Sequence, residues 1–368
     1  MNLQRFAMTA PVATDRIRTA LPAIPYASGA AGQTNITKTN YLCELECELT
    51  GTMTCIGTST NTLGSKGPLA LVQAIALVVN SKKYPLSADA FMFSVRRMID
   101  RPGSKNAAVA PVVSSASPGT ANAWQAFFRL PVAVAFDRND LRGAIWAQNG
   151  ETVMTLDVQF ATEAQAITLG AANTAEFVGN LQVYAWCIAA PNPVAPDAKN
   201  NKPSQGLWNS ITWLHQFNKI KQAITVTGDN IIDLQKGLEI MRIFIAIFNG
   251  GTYTTDILTS AYVELQSIVS PASLDRLWLR NALVDDYHFP YDAAGLPYVP
   301  GAAGQPEFNG LYVLDYFKTF TDRDLLQTAG LTDVKLHLEI SAGASLSGAY
   351  AEVYQEQLLQ LSSPITKV

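Results

Sequence analysis

The chain of 368 residues is 48% hydrophobic and only 15% charged, with a net charge of −4. This length exceeds that of one ordinary core, so we expect two domains, and the low charge predicts that other copies of the chain cover much of its surface. The 26 basic residues are spread along the whole sequence, which excludes a concentrated positive field and therefore direct binding of nucleic acid.

Membrane-spanning and secretory segments are not predicted. The sequence has no apolar run of about 18 residues, the length that a helix needs to cross a bilayer. Its N-terminal stretch, MNLQRFAMTAPVATDR, lacks the apolar core of a secretory signal. We therefore expect a protein that is made and used inside a cell, in the cytoplasm.

Residues 1–33 are predicted to be an N-terminal arm, because they are rich in Ala, Pro and Gly and show no periodicity. Within this arm, Arg5, Phe6, Arg16 and Arg18 combine positive charge with apolar surface. Such a combination is typical of segments that lie on an anionic membrane surface. The same residues would also suit a clamp between neighbouring subunits, and both interpretations stay open.

Residues 34–190 are predicted to be the first β domain. They contain runs of strand length that are bounded by Gly, Pro, Asn or Ser, the pattern of a β-sandwich or barrel. The predicted strands are NYLCELECELTGTMTCIG, LALVQAIALVVN, ADAFMFSVRRMID, AWQAFFRLPVAVAF, VMTLDVQFATE and LQVYAWCIAA.

The four cysteines are interpreted as structural thiols. Cys43 and Cys47 would lie roughly 13 Å apart along a strand, too far for a disulfide. Cys47 and Cys55 are placed symmetrically about Gly51, which predicts a hairpin that brings them face to face. Together with Cys187 they are too few and too irregular for a disulfide framework, and free cysteine behaves as a small buried hydrophobe.

A linker and a second β domain follow. Residues 191–206 carry four prolines among Asn, Asp and Lys, which predicts the linker. Residues 207–350 are predicted to be the second domain, and residues 351–368 a C-terminal segment. The predicted strands are ITWLHQFNK, QAITVTG, MRIFIAIFNGGTYTT, GLYVLDYFK, DVKLHLEIS and AYAEVYQEQLLQL.

Two helices and one tight turn are predicted within the second domain. Asp229 is expected to cap a helix over NIIDLQKGLEIM, and Ser270 and Pro271 to open another over ASLDRLWLRNALV. The apolar face of the latter would comprise Leu274, Leu277, Leu279 and Leu283. Asn249 and Gly250 are typical of a hairpin turn, because both residue types tolerate a positive φ. We expect this turn to fold the chain rather than to serve chemistry.

No catalytic residue, metal or cofactor is predicted. The densest polar cluster lies in DDYHFPYD, and its members are Asp285, Asp286, His288 and Asp292. These residue types can bind a cation, although a solvated loop is the favoured interpretation. His215 and His337 lie in predicted strands, where we expect satisfied core or interface histidines rather than general bases.

The order of several segments resembles the tectiviral major capsid proteins. In the first half the resemblance lies in GPLALVQAIALVV, ADAFMFSV and RLPVAVAFDRNDLRGAIWAQ, the last including Pro131, Asp140, Leu141, Gly143 and Ala144. In the second half it lies in IFIAIFNGGTYT, the helix around Trp278 and HFPYDAAGLPYV. It covers most of residues 35–350 in consistent order and does not extend to the arm or to the C-terminal segment.

This resemblance implies an all-β double jelly roll of the adenovirus-hexon lineage, with two eight-stranded jelly rolls side by side. It implies a homotrimeric capsomer in an icosahedral virion capsid around an internal membrane and double-stranded DNA. The expected partners are other copies of the chain, penton and minor capsid proteins and, through the arm, the internal membrane. Two jelly rolls in each chain would give a trimer six similar sides, which suits hexagonal lattice positions.

Two alternative functions are kept. A two-domain carbohydrate-binding protein or glycosidase would need a carboxylate pair beside exposed aromatic residues. Glu44, Glu46 and Glu48 lie on one face of a predicted strand, where we expect them to be solvated. A viral spike would form trimers that never assemble into a lattice.

Overall fold

The structure, a computed structural model, consists of two β-sandwiches that share one sheet. It describes residues 16–37, 41–64, 66–80, 82–100, 121–134, 142–147, 153–188, 213–250, 252–253, 257–269, 274–287, 310–317 and 325–360. The predicted linker at 191–206 and most of the predicted arm lie outside these ranges.

Strands dominate both halves of the chain. Those of the first half are β1 (Arg16–Ala20), β2 (Ile24–Pro25), β3 (Ala31–Asn35), β4 (Tyr41–Ile56), β5 (Thr62–Leu63), β6 (Val72–Val79), β7 (Lys82–Ala88), β8 (Ala121–Pro131), β9 (Ile145–Trp146), β10 (Met154–Phe160), β11 (Ile167–Thr168) and β12 (Thr174–Ile188). Those of the second half are β13 (Trp213–Ala223), β14 (Gly228–Asp233), β15 (Glu239–Asn249), β16 (Thr252–Tyr253), β17 (Leu258–Leu265), β18 (Ile268–Val269), β19 (Leu274–Asp275), β20 (Leu311–Asp315), β21 (Leu326–Gln327), β22 (Val334–Ile340) and β23 (Tyr350–Gln360).

The described residues also form two α-helices and two short 3₁₀ turns. The helices are α1 (Ala90–Asp100) and α2 (Arg276–Tyr287), and the turns are Gly67–Leu71 and Glu163–Gln165. Each sandwich has two layers that meet over an apolar core. One outer layer has the order β1-β12-β4-β8 and the other β14-β22-β17-β18.

The inner layers of the two sandwiches form one continuous sheet. Its order is β16-β15-β23-β13-β7-β6-β10-β3, so four strands of the first half follow strands of the second. The two halves meet where β7 runs parallel to β13, with Leu86 opposite Phe217. One hydrophobic core also includes residues of both halves, among them Phe93, Phe217 and Phe244. The halves are therefore joined by both backbone pairing and core packing.

Strand β4 shows how the alternating sequence pattern forms the first sandwich. Leu45, Cys47, Leu49 and Met53 point into the core and are buried. β4 pairs along its whole length with β12 and does not turn at Gly51. The predicted hairpin between Cys47 and Cys55 is therefore wrong.

All four cysteines are free thiols, and Cys47, Cys55 and Cys187 are buried, as predicted. Burial raises the pKa of the Cys47 thiol well above its ordinary value. This thiol is kept in its neutral form, which suits a small core side chain.

Gly51 and Gly179 face each other in the middle of the β4–β12 ladder. A Cβ atom on Gly51 would lie 2.4 Å from the Val178 carbonyl oxygen and 2.6 Å from the Phe177 ring. The Phe177 ring occupies the space that side chains at the two glycines would need. Close packing of this aromatic ring on the sheet thus requires glycine at both positions.

One helix prediction and one strand prediction change in the structure. The segment that begins at Asp229 forms β14 and β15, because β14 pairs with β22 about 100 residues away and Gly237 has a φ of 87° between the two strands. The segment predicted as the strand ADAFMFSVRRMID forms α1. The long-range pairing of β14 decides the first case, and the helix cap at Asp89 decides the second.

The predicted helix near Trp278 is confirmed, although it begins at Arg276 rather than at Pro271. Asp275 Oδ1 accepts a hydrogen bond from the Trp278 backbone N–H at 2.8 Å, which caps the first turn. Of the predicted apolar face, Leu279 and Leu283 are buried, whereas Leu277 is 65% exposed and Leu274 lies in β19.

The predicted boundaries at both ends also change. Residues 16–35 belong to the first sandwich, since β1 pairs with β12 and β3 with β10. The prediction of an arm is therefore wrong for residues 16–33. Most of the predicted C-terminal segment, residues 351–360, lies in β23, which pairs with both β13 and β15 in the shared sheet.

The predicted turn at Asn249 and Gly250 closes a hairpin in the second sandwich, as expected. Asn249 pairs with Thr252, and Gly250 has a φ of 63°. The Asn249 side chain also donates to the Ser345 carbonyl and accepts from the Ser347 N–H, both at 2.8 Å. The turn therefore anchors the loop that precedes β23, which is a role in the scaffold.

We predict that Gly51→Ala lowers the free energy of unfolding by about 1–3 kcal/mol, because the new methyl group collides with backbone that the ladder holds in place. Urea denaturation followed by circular dichroism measures this change. Gly343→Ala is the matched control, since a Cβ atom there has no neighbour within 4 Å. A loss at Gly51 no larger than that at Gly343 would contradict the prediction.

Candidate functional site at the junction of the two sandwiches

Helix α1 carries charged residues of the first half to the strands of the second. Asp89 Oδ1 accepts the Met92 backbone N–H at 2.9 Å and so caps the start of the helix. Arg96 follows seven residues later, two helical turns along, and therefore lies on the same side of α1. Both side chains are buried, and both find their partners on the shared sheet.

The facing strands offer a complementary row of polar residues. Glu352, Tyr354 and Glu356 alternate along β23 and so point to one face of the sheet. On β13 the same spacing places His215 and Lys219 on that face. These residues meet α1 in two groups, which we name the lysine cluster and the arginine cluster.

The lysine cluster comprises Lys66, Asp89, Lys219, Glu352 and Tyr354. Lys66 Nζ donates to Asp89 Oδ2 at 2.8 Å and to Glu352 Oε2 at 2.7 Å. Lys219 Nζ lies 2.9 Å from Asp89 Oδ2 and 3.1 Å from Glu352 Oε1. The Tyr354 hydroxyl lies within 2.8 Å of both carboxylates. Two cations and two carboxylates thus compensate each other across the junction.

The arginine cluster comprises Arg96, His215, Arg242, Asp315 and Glu356. Arg96 Nε donates to Glu356 Oε1 at 2.7 Å, and His215 Nε2 lies 2.8 Å from the same oxygen. Arg242 Nη1 donates to Glu356 Oε2 at 3.3 Å, and its Nε donates to Asp315 Oδ2 at 3.1 Å. Glu356 therefore connects α1 of the first half with β13 and β15 of the second.

Two further contacts attach this cluster to both halves. His215 Nδ1 lies 3.0 Å from the Pro131 carbonyl oxygen, at the end of β8. The Tyr287 hydroxyl donates to Asp315 Oδ2, which brings the end of α2 into the cluster. His215 is completely buried and is a satisfied core histidine, as predicted.

Burial and charge compete at the two central carboxyls. Burial alone would raise the pKa of Glu356, but the Arg96 and Arg242 charges lower it to well below its ordinary range. Burial likewise opposes ionisation of Asp89, yet the Lys66 charge holds its pKa well below the ordinary value. Both carboxyls are therefore ionised at neutral pH and depend on their cations to remain buried.

The residues predicted to contact a membrane or a neighbour are only partly described. Arg5 and Phe6 lie outside the described ranges, and Arg16 contributes backbone to β1. Arg18 Nη2 donates to Glu46 Oε1 at 2.6 Å, and its guanidinium lies 3.5 Å from the centre of the Tyr184 ring. Through these contacts Arg18 supports β1 on its own sandwich, and its side chain remains 40% exposed.

The predicted solvated stripe on β4 is wrong for two of its three residues. Glu44 and Glu46 are each only 6% exposed. Arg129 lies within 3.0 Å of both carboxylates, and the Trp186 indole N–H donates to Glu46 at 3.0 Å. Burial would raise the pKa of Glu46, but these partners together with Arg18 lower it. A general acid of a glycosidase needs a raised pKa, so Glu46 does not fit that role.

Metal binding finds no support among the described residues. They contain no group of three His, Cys, Asp or Glu side chains placed to hold a metal ion. His288 and Asp292 lie outside the described ranges, and Asp286 is exposed on α2. In the same part of the chain, no helix has both the length and the apolar character needed to cross a membrane.

Sequence reasoning missed the junction. The residues that meet at the junction are far apart in the chain. For example, 260 residues separate Arg96 from Glu356. One local signal was present in YAEVY at the start of β23, where acidic and aromatic residues alternate with apolar ones on a strand. A second was the spacing of Asp89 and Arg96 by two helical turns. Each signal indicates a polar face, but neither identifies its partner.

Comparisons with known proteins bear on the fold. No protein-family model and no curated protein matches the chain. The chain is similar to the STIV MCP, of Sulfolobus Turreted Icosahedral Virus, with a TM-score of 0.65 and 12% identity over 94% of this chain and 97% of that one. It is similar to the PBCV-1 virus capsid, with a TM-score of 0.57 and 11% identity over 94% and 93% of the two chains.

The major capsid protein P2 from bacteriophage PM2 is also similar, with a TM-score of 0.54 and 9% identity over 94% of this chain and 97% of that one. All three likenesses cover both sandwiches. The chain therefore has the double jelly-roll fold, all-β with a few helices, as predicted.

We predict that Glu356→Gln lowers the free energy of unfolding by about 3–5 kcal/mol, because it leaves Arg96 and Arg242 buried without their shared counter-charge. Urea denaturation at pH 7 measures the loss. Glu176→Gln, on an exposed position of β12, is the matched control and should change stability by less than about 0.5 kcal/mol. Equal effects of the two variants would exclude a structural role for the arginine cluster.

We also predict acid sensitivity that originates at the junction. The folded pKa values of Glu356 and Asp89 lie below their ordinary values of 4.5 and 3.8. Their stabilisation is therefore complete above about pH 5 and is lost as the pH falls below those values, since the unfolded chain then binds more protons. Urea midpoints between pH 7 and pH 3 test this. The urea midpoint should fall less in Glu356→Gln than in the wild type. Identical pH profiles of the two proteins would contradict the prediction.

Proposed function

We propose that this chain is a major capsid protein, a structural protein without catalytic activity. The observation that carries the proposal is the double jelly roll over nearly the whole chain, shared with viral capsid proteins. The continuous sheet and the two charge clusters support it, because they make the two sandwiches one rigid block. A block of this kind keeps its side walls in register for lattice contacts.

The capsomer would be a homotrimer. Three copies of a two-sandwich block present six similar sides, so the trimer fits hexagonal positions of an icosahedral shell. The low charge of the sequence supports extensive contact between copies. In this proposal the partners are sister chains and neighbouring capsomers, with penton and minor capsid proteins at the remaining positions, and assembly takes place in the host cytoplasm.

The finer assignment is a tectivirus-type bacteriophage capsid around an internal membrane and double-stranded DNA. It is supported by the segment order of the sequence. Arg5 and Phe6 would contact the membrane or a neighbouring subunit, together with the side chains of Arg16 and Arg18 at the start of β1. Because Arg18 is already paired with Glu46, the proposal gives the main contact to the residues that precede β1.

The carbohydrate alternative has less support, because the carboxylate pair on β4 is buried and paired with arginines. A spike differs from a capsomer only in its failure to form lattices. Assembly therefore distinguishes these candidates better than any binding assay.

We predict that the purified chain has three times its monomer mass of 39.7 kDa in light scattering coupled to size-exclusion chromatography, and that electron microscopy shows pseudo-hexagonal particles that tile. The trimer should survive about 0.5 M salt, because contacts between apolar walls are not screened. A monomer that binds glycans would overturn the proposal, and trimers that never tile would favour the spike.

A further inference from the structure

The outer layers of the two sandwiches differ in area. The first layer, β1-β12-β4-β8, has strands of 5, 15, 16 and 11 residues, and the second, β14-β22-β17-β18, has strands of 6, 7, 8 and 2 residues. With a rise of about 3.4 Å per residue and about 4.8 Å between strands, their outer faces cover roughly 770 Å² and roughly 380 Å². We call these faces the first wall and the second wall. A stable interface buries about 800 Å² on each partner, so only the first wall approaches the area that is needed.

One half of the first wall consists of small, mostly uncharged side chains. Met53 of β4 and Phe177 of β12 point into the core, so their neighbours along each strand point outward. Among these neighbours, Val178 is 63% exposed and Ile56 is 49% exposed. The outward positions around them are Thr50, Thr52 and Thr54 on β4, Ala121, Ala123 and Gln125 on β8, and Thr174, Glu176 and Asn180 on β12. Glu176 is the one charged residue among the positions just named, so covering this half desolvates little charge.

The other half of the first wall carries charges that are already compensated within the wall. Arg129 pairs with both Glu44 and Glu46, and these two acids are each only 6% exposed. Arg18 forms a second ion pair with Glu46 and lies 5.9 Å from the centre of the Trp186 ring. Arginine and aromatic residues are enriched at the centre of protein interfaces. Another surface can therefore cover this half without leaving one of these charges unpaired.

The second wall has the opposite character. Its outward positions are Asp229, Ile231 and Asp233 on β14, Lys335, His337 and Glu339 on β22, and Ser260, Tyr262 and Glu264 on β17. They include four carboxylates and one lysine, and Lys335 is paired with a further acid, Asp333. His337 is buried among them, as expected of a core histidine, and its Nδ1 lies 2.8 Å from Asp229 Oδ2. Covering this wall would remove water from an excess of negative charge, which costs free energy.

We infer that the first wall is the surface through which this chain packs on a second copy of itself, whereas the second wall stays in water. The inference rests on the proposed assembly from sister chains and identifies the surface that the assembly uses. A strongly charged partner would need an opposite excess of charge on the wall, and the uncharged half of the first wall offers none. In the proposed shell, sister copies lie on the sides of every capsomer and are therefore the occupants that this wall fits.

Arginine substitutions at matched positions of the two walls test this inference. Val178→Arg places a charge in the uncharged half of the first wall, and Ile231→Arg places the same charge on the second wall, where Ile231 is 48% exposed. Because both positions are exposed, urea midpoints should match that of the wild type. Light scattering over a dilution series measures trimer formation, and electron microscopy measures tiling. Val178→Arg should raise the concentration needed for one of these two steps at least about tenfold, because it buries an unpaired charge. Ile231→Arg should change neither.

Thr52→Arg is a second variant of the first wall, since Thr52 lies opposite Val178 on the neighbouring strand. It should have the same effect and replaces Val178→Arg if that chain does not fold. If the wild type assembles and the first-wall variants assemble at the same concentrations, the inference is overturned and the proposed function stands. An equal loss of assembly in Ile231→Arg would also overturn the inference. A wild type that stays monomeric throughout would instead overturn the proposed function, and the inference with it.

Discussion

The fold depends on the burial of opposite charges between α1 and the strands β13, β15 and β23. An ion pair away from water stabilises a protein only when both partners are in place, because a single buried charge is costly. Arg96 reaches Glu356 only if α1 lies across the second sandwich at the observed position. Other docking positions of the two sandwiches would leave several charges unpaired. The clusters therefore select one arrangement of the halves, in addition to any stability that they provide.

This constraint ties the two jelly rolls to each other, because each half supplies charges that the other half compensates. Lys66 and Asp89 belong to the first half, and their partners Glu352 and Tyr354 belong to the last strand of the second. The shared sheet is complete only after β23 has entered between β13 and β15. Because β23 is nearly the last element, the junction forms from distant parts of the chain, and such contacts form slowly.

Sequence patterns predicted the parts of the fold that depend on local order. Strands such as β4 and β12 follow from alternation, because one face of each is buried. Helix α1 was missed because its first four residues, Ala90, Phe91, Met92 and Phe93, form a continuous apolar run that is buried, and periodicity alone does not distinguish a strand from a helix in such a run. The strand β14 was missed because its pairing with β22 outweighs the helix preference of a short segment.

The candidate site was beyond prediction for a related reason. Glu44, Glu46 and Glu352 alternate with apolar residues and Glu356 lies between two glutamines, patterns that a solvated strand face shares. What distinguishes them is the cation that each meets, and that cation comes from another strand, from α1 or from Lys66 before the first 3₁₀ turn. In both places the compensating cations include arginine or lysine, which stay charged across the physiological range. The charge pairing at the junction is therefore maintained across mild changes of pH, and it is lost only in acid that protonates the carboxyls.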